Sequence, residues 1–144
     1  MSITRSLSCL FDTDVLLDVV FRREPFVYAS AHVLLLAERQ TIAGWTTPVI
    51  LANVFYLVGR ARTIPAAHDA IRGLRGILGI LGVGTAETDA AFARAADYPD
   101  WEDQLQYAAA ENHACEYLIT RNVSDFPTSP VRAVTPSEFL ALAL

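Results

Sequence analysis

Short apolar blocks recur along the chain, each ending abruptly on polar residues, and longer stretches with apolar positions three and four apart lie between them. The clearest block is Cys9-Leu10-Phe11, which stops at Asp12-Thr13-Asp14 before Val15-Leu16-Leu17 begins. That pattern predicts a buried strand delivering carboxylates to its C-terminal end, where the chain turns into a helix. Pro25 breaks the first helical stretch, and Phe26 to Gln40 is helical through Val33, Leu34, Leu36 and Ala37. Ile42 to Trp45 reads as a second strand, after which Thr47 caps and Pro48 opens a helix running to Arg62. Ile64 to Leu78 is a further helix, Leu81 to Gly84 a third strand and Thr85 to Ala96 a helix, closed by a turn over Asp97 to Asp100. Asp100 to His113 is helical, Glu116 to Thr120 a strand, Arg121 to Pro130 a loop, and Val131 to Val134 the last strand. Thr135-Pro136-Ser137-Glu138 is a capping box that opens a C-terminal helix. Strands alternating with helices predict an α/β fold, a three-layer α/β/α sandwich with a mostly parallel central sheet, as one domain over residues 1–144.

Composition narrows this picture. The 144 residues are 53% apolar, yet every apolar run falls far short of the roughly 20 residues of a spanning helix. The excess suits a parallel sheet covered on both faces or an apolar dimer interface. The opening residues reach Asp12 before any adequate apolar core forms, so no secretory signal and a cytoplasmic location are expected. Cys9 and Cys115 lack metal spacing and read as buried reduced thiols. A net charge of −5 argues against a broad nucleic-acid-coating surface. It leaves room for an acidic metal centre with a few arginines on phosphate, and all eleven basic residues are Arg. Glycines at 73, 76, 79, 82 and 84 match no nucleotide fingerprint and read as packing and turn residues. His32, His68 and His113 have no partner at triad or zinc spacing.

The candidate chemistry is acidic. Asp12 and Asp14 stand at a predicted strand end, where open α/β sheets bind ligands; Asp14 alone is equally read as a helix N-cap. Asp100, Glu102 and Asp103 crowd a helix start, which the helix dipole explains for the first two. Asp103 instead shares a stripe with Gln106, Tyr107 and Ala110 and so points inward. Thr120-Arg121-Asn122-Val123-Ser124-Asp125 repeats the strand-then-acid pattern. Asn53, strongly polar on an apolar helix, is either a satisfied core amide or a cleft residue. Carboxylates forced together repel, and a hard divalent cation, Mg²⁺ or Mn²⁺, relieves them. The residues alone thus point to a Mg²⁺-dependent phosphoryl-transfer enzyme.

In FDTDVLLDVV, WEDQLQYAAA and YLITRNVSDF, taken in order, the chain resembles the PIN domain family and its VapC-like ribonuclease toxins. REPF after the first helix and the closing VTPSEFL resemble one branch of it. The resemblance implies a metal-dependent endoribonuclease in which Asp12, Asp103 and Asp125 are metal-centred carboxylates, Asn122 a polar ligand and Thr120 a supporting hydrogen bonder. Asn53 stands where most of the family has Glu, and Asp14 and Glu102 would make up the lost charge. The resemblance further implies an RNA substrate gripped by Arg22, Arg23, Arg60, Arg62 and Arg121, a homodimer, and an antitoxin partner. Two alternatives stand beside it. LFDTDVLLD also resembles the nucleophile strand of haloacid-dehalogenase-like phosphatases, but their charge-balancing Lys is missing here. Asn53 also motivates a second alternative, a PIN-like fold that binds RNA or a partner without cutting.

Overall fold

The computed structural model describes residues 6–143; the reading of the first residues as lacking a secretory signal lies partly outside that range. Five strands, β1 (Ser8–Phe11), β2 (Ala43–Thr46), β3 (Gly79–Ile80), β4 (Tyr117–Ile119) and β5 (Arg132–Val134), form one sheet in the order β3-β2-β1-β4-β5. Every pairing is parallel. Among the described residues seven α-helices connect or flank them: α1 (Thr13–Val20), α2 (Val27–Glu38), α3 (Pro48–Ala61), α4 (Ile64–Ile77), α5 (Thr85–Ala93), α6 (Trp101–Asn112) and α7 (Pro136–Ala143). Right-handed crossovers put α1 to α4 on one face while the order moves outward from β1 to β3. The return from β3 to β4 puts α5 and α6 on the other. Helix α7 packs against α2, which completes the three-layer α/β/α arrangement expected from the sequence.

The core follows the apolar blocks. Cys9, Leu10, Phe11, Leu118 and Ile119 are fully buried in the two central strands, and Val15, Leu16, Val33, Ile50, Val54 and Val58 cover them from the helices. Thr47 caps α3 through Ile50 N–H and Thr63 caps α4 through Ala66 N–H, each with Pro in the first turn. Thr135 Oγ1 accepts from Glu138 N–H at 3.1 Å, the expected start of α7. No helix among the described residues is long and apolar enough to cross a membrane.

The third strand departs from expectation. It lies at Gly79–Ile80, not at Leu81–Gly84, with Trp45 opposite Gly79. A Cβ at position 79 would come within 2.4 Å of the Trp45 ring, so a glycine is what lets these strands approach. Leu81 adds one bond to Thr46 O, after which the chain leaves the sheet.

Candidate acidic site at the sheet edge

The chain order reverses between β1 and β4, whose C-terminal ends therefore open a crevice, the place where such sheets bind ligands. Asp12 follows β1 directly and its backbone N–H is bonded to Ile119 O of β4 at 2.9 Å. Its Oδ1 accepts from Thr13 N–H at 2.8 Å and its Oδ2 from the Thr120 hydroxyl at 2.9 Å. The N-cap of α1 is thus Asp12 itself. Asp14 is free for another role: its Oδ2 accepts from Asn122 Nδ2 at 2.9 Å and from Arg121 N–H at 3.3 Å. Its Oδ1 is buried without a hydrogen-bond partner. Asp103 sits in the first turn of α6, which Asp100 caps through Asp103 N–H. Asn53 on α3 donates its amide to Glu102 Oε1.

These residues wall an open pocket of about 350 Å³, in which Asp12, Asp14, Glu102 and Asp103 meet Asn53 and Asn122. The carboxyl of Asp12 is raised to about 7, chiefly by burial and then by the charge of Asp14, against the lowering effect of Thr120 and Thr13. Asp103 is also raised to about 7, by burial first and then by Asp12, Asp100, Asp125 and Glu102. Asp14 is raised too, again mainly by burial. Groups that repel one another in this way hold their charges at a cost that a bound cation would remove.

The sequence-derived residues divide as follows. Asp12, Asp103, Asn122, Asn53, Glu102 and Asp14 line one pocket. Thr120 is fully buried behind Asp12. Asp125, in the 3₁₀ turn Val123–Asp125, does not line the pocket. It is exposed but close enough to Asp103 to raise its pKa, and its backbone carbonyl accepts from Gln104. Among the arginines, Arg60 donates to the hydroxyl of Tyr56, a pocket residue, while Arg62 stacks over Phe21 at 5.1 Å. Arg22 is exposed at the end of α1. Arg23 and Arg121 instead turn toward Asp18, which is fully buried.

Asp18 is the residue that sequence reasoning passed over. Arg121 holds it bidentately at 2.9 and 3.2 Å, Ser30 donates to it at 3.4 Å, and Arg23 Nε lies 3.0 Å away. The available signal was its place four residues after Asp14 within an apolar helix, which puts both acids on one helical face. Tyr56 and Leu57, on the pocket rim, were also missed.

The pocket's donors are all oxygens, from carboxylates and two amides, the chemistry that suits Mg²⁺ or Mn²⁺ and not zinc or copper. The orphaned Asp14 Oδ1 fits the same reading. Among the described residues no three His, Cys, Asp or Glu side chains form a ready-made cage. A small hard cation that keeps waters and takes one or two carboxylates would not need one.

A doubly covered parallel sheet with an oxygen-lined acidic pocket at its switch point defines the class: an α/β/α protein whose site is built from carboxylates at the end of β1 and in the first turns of α1 and α6. The profile of the PIN domain matches residues 8–124. The chain belongs to the PIN domain family. No curated protein matches it by sequence. In structure it is similar to a toxin–antitoxin complex from Klebsiella pneumoniae, at 23% identity over 89% of this chain and 97% of that one, with a TM-score of 0.67. It is also similar to VapBC2 from Rickettsia felis bound to a promoter DNA fragment (15% identity, 90% and 98% covered, TM-score 0.68). A third is VapC20 of Mycobacterium tuberculosis, a toxin that cleaves the sarcin-ricin loop (12% identity, 84% and 91% covered, TM-score 0.63). At these identities the likeness establishes the fold.

Proposed function

We propose that the protein is a Mg²⁺- or Mn²⁺-dependent endoribonuclease of the VapC type and the toxin of a toxin–antitoxin pair. The observation that carries this reading is the pair Asp12 and Asp103, two carboxyls raised to about 7 on the wall of one open pocket. A bound cation would supply charge to a phosphodiester oxygen and acidify a water. The chain's own residues do the positioning. Asp12 and Asp103 would hold the cation, and the Thr120 hydroxyl and Thr13 N–H fix how the Asp12 carboxylate is turned. Asn122 Nδ2 and Arg121 N–H hold one oxygen of Asp14, which leaves the other as an acceptor. The amide of Asn53 orients Glu102. Asp125 adds negative potential beside Asp103. A cytoplasmic location, a second copy of the chain and an antitoxin are the expected context; the structurally similar complexes, named as toxin–antitoxin assemblies, support the last of these.

Labelled RNA incubated with the purified protein in Mn²⁺ or Mg²⁺ tests the proposal, with Asp12→Asn and Asp103→Asn as controls. Metal-dependent cleavage that both variants lose is the expected result. RNA binding without cleavage would instead make this a binding module, and phosphate release from small phosphomonoesters would make it a phosphatase.

A further inference from the structure

A second cleft is larger than the acidic pocket. It lies on the other side of Arg121, has a volume of about 600 Å³, and is walled by Pro25, Phe26, Ala29, Arg121, Thr135 and Ser137. That volume falls within the roughly 300–1,000 Å³ of small-ligand sites. Its make-up is opposite to that of the acidic pocket, because no carboxylate lines it. Pro25 and Phe26, from the REPF stretch, form part of its apolar wall.

Three observations converge on one occupant. Phe26 is 43% exposed, and the guanidinium of Arg121 lies 4.0 Å over its ring. Aromatic rings and guanidinium planes are the surfaces on which the bases of single-stranded RNA stack. Next, Arg121 is the one charged residue on the wall of this cleft, so the wall carries a cation and no anion. Finally, the cleft and the acidic pocket adjoin. Arg121 lines one and Asn122 the other, their Cα atoms are about 3.8 Å apart as neighbours in the chain, and Arg121 N–H itself bonds Asp14.

Resting on the nuclease reading above, we propose that this cleft seats a neighbouring nucleotide of the RNA strand being cut, with its base against Phe26 and the guanidinium plane of Arg121. The site gives the strand a fixed register, so the residues of the cleft set which base stands beside the scissile bond. A peptide segment of a protein partner is the rival occupant. The stacked Phe26–Arg121 pair and the continuity with a phosphodiester site favour RNA.

Binding of a labelled single-stranded RNA oligonucleotide by the full chain carrying Asp12→Asn, followed by fluorescence anisotropy in Mg²⁺, tests this. Phe26→Ala removes the stacking plane, and Ser137→Trp, at an exposed position on the rim, obstructs the cleft without touching the core. Each is expected to weaken RNA binding about tenfold or more, the scale of one lost base stack, with an unchanged melting temperature. In the otherwise wild-type chain each should shift the cleavage positions on a mixed-sequence RNA. Unchanged affinity and cleavage pattern in both variants would overturn the cleft proposal and leave the nuclease intact. Absence of RNA binding and cleavage in every form would sink both. Loss of a protein partner with RNA binding retained would assign the cleft to protein docking and overturn the proposal.

Discussion

Replacing Asp12 with Asn should stabilise the metal-free protein while abolishing cleavage. The carboxyl of Asp12 is raised from 3.8 to about 7 in the folded state, so the folded protein holds a proton that the unfolded chain releases above pH 4. Between those values stability must fall as pH rises, since the native state binds more protons than the unfolded one. Asp12 is buried, and the difference of about three pKa units at about 1.4 kcal/mol each amounts to about 4 kcal/mol by pH 7.5. Asn removes that cost. It keeps an oxygen for Thr13 N–H and disturbs the Thr120 contact, a loss of about 1 kcal/mol. The net gain is about 2–3 kcal/mol, or about 5–10 °C in melting temperature for a chain of this size. Thermal unfolding in EDTA at pH 7.5 and at pH 4.5 measures it. The gain should be present at the higher pH and vanish at the lower. An Asp12→Asn variant no more stable than wild type at pH 7.5, or a gain independent of pH, would show that the acidic pocket is not under the electrostatic strain described.

Adding Mg²⁺ or Mn²⁺ at a hundredfold excess over its dissociation constant should stabilise the wild type by about 2.7 kcal/mol at pH 7.5, with a smaller effect in Asp103→Asn; calorimetry with and without chelator decides. Asn53→Glu trades the amide that donates to Glu102 for a like charge. It should lower the metal-free melting temperature by a few degrees, from the loss of about 1 kcal/mol, and the deficit should shrink at pH 4.5. Asp18→Ala leaves the Arg23 and Arg121 guanidiniums without their buried counter-charge and should cost about 3–5 kcal/mol in urea unfolding. Gly79→Ala drives a methyl into the Trp45 ring and should cost about 1–3 kcal/mol in the same assay.

The elements that were legible in the sequence are those in which one physical signal dominates. Cys9-Leu10-Phe11 reads as a strand because a doubly covered strand is apolar throughout, and the helices at Pro48 and Pro136 are marked by Thr caps before Pro. That Asp12 and Asp103 stand on one pocket wall was legible for the same reason, as acids set beside an apolar block or stripe. What stayed hidden depends on partners far along the chain. Gly79 belongs to β3 only because the Trp45 ring needs the room, and a glycine carries no strand signal of its own. Asp14 resembles an N-cap by type, yet Asp12 takes that position and Asp14 binds the loop after β4, 107 residues away. Arg23 and Arg121 resemble phosphate contacts, but the buried Asp18 that engages them is recognisable only once α1 and that loop are side by side.

The same geometry weighs on the choice among chemistries. In a phosphatase that uses the first acid of an Asp-x-Asp pair as nucleophile and the second as proton donor, both carboxyls must be free to meet the phosphate. Here both oxygens of Asp12 accept hydrogen bonds, from Thr13 and Thr120, and one oxygen of Asp14 is held by Asn122 and Arg121 N–H. Such anchoring fixes lone pairs, as a metal site requires, and restricts the motion a nucleophile needs. The chain contains no Lys, and the pocket's wall carries no Arg to neutralise a phosphorylated aspartate. With four carboxylates and two amides on that wall, the proposed nuclease would draw its positive charge from a cation in solution. Position 53 follows from the same balance: Glu102 already supplies the acid on that side, and Asn53 gives it a neutral donor where another carboxylate would only deepen the repulsion that raises Asp12 and Asp103.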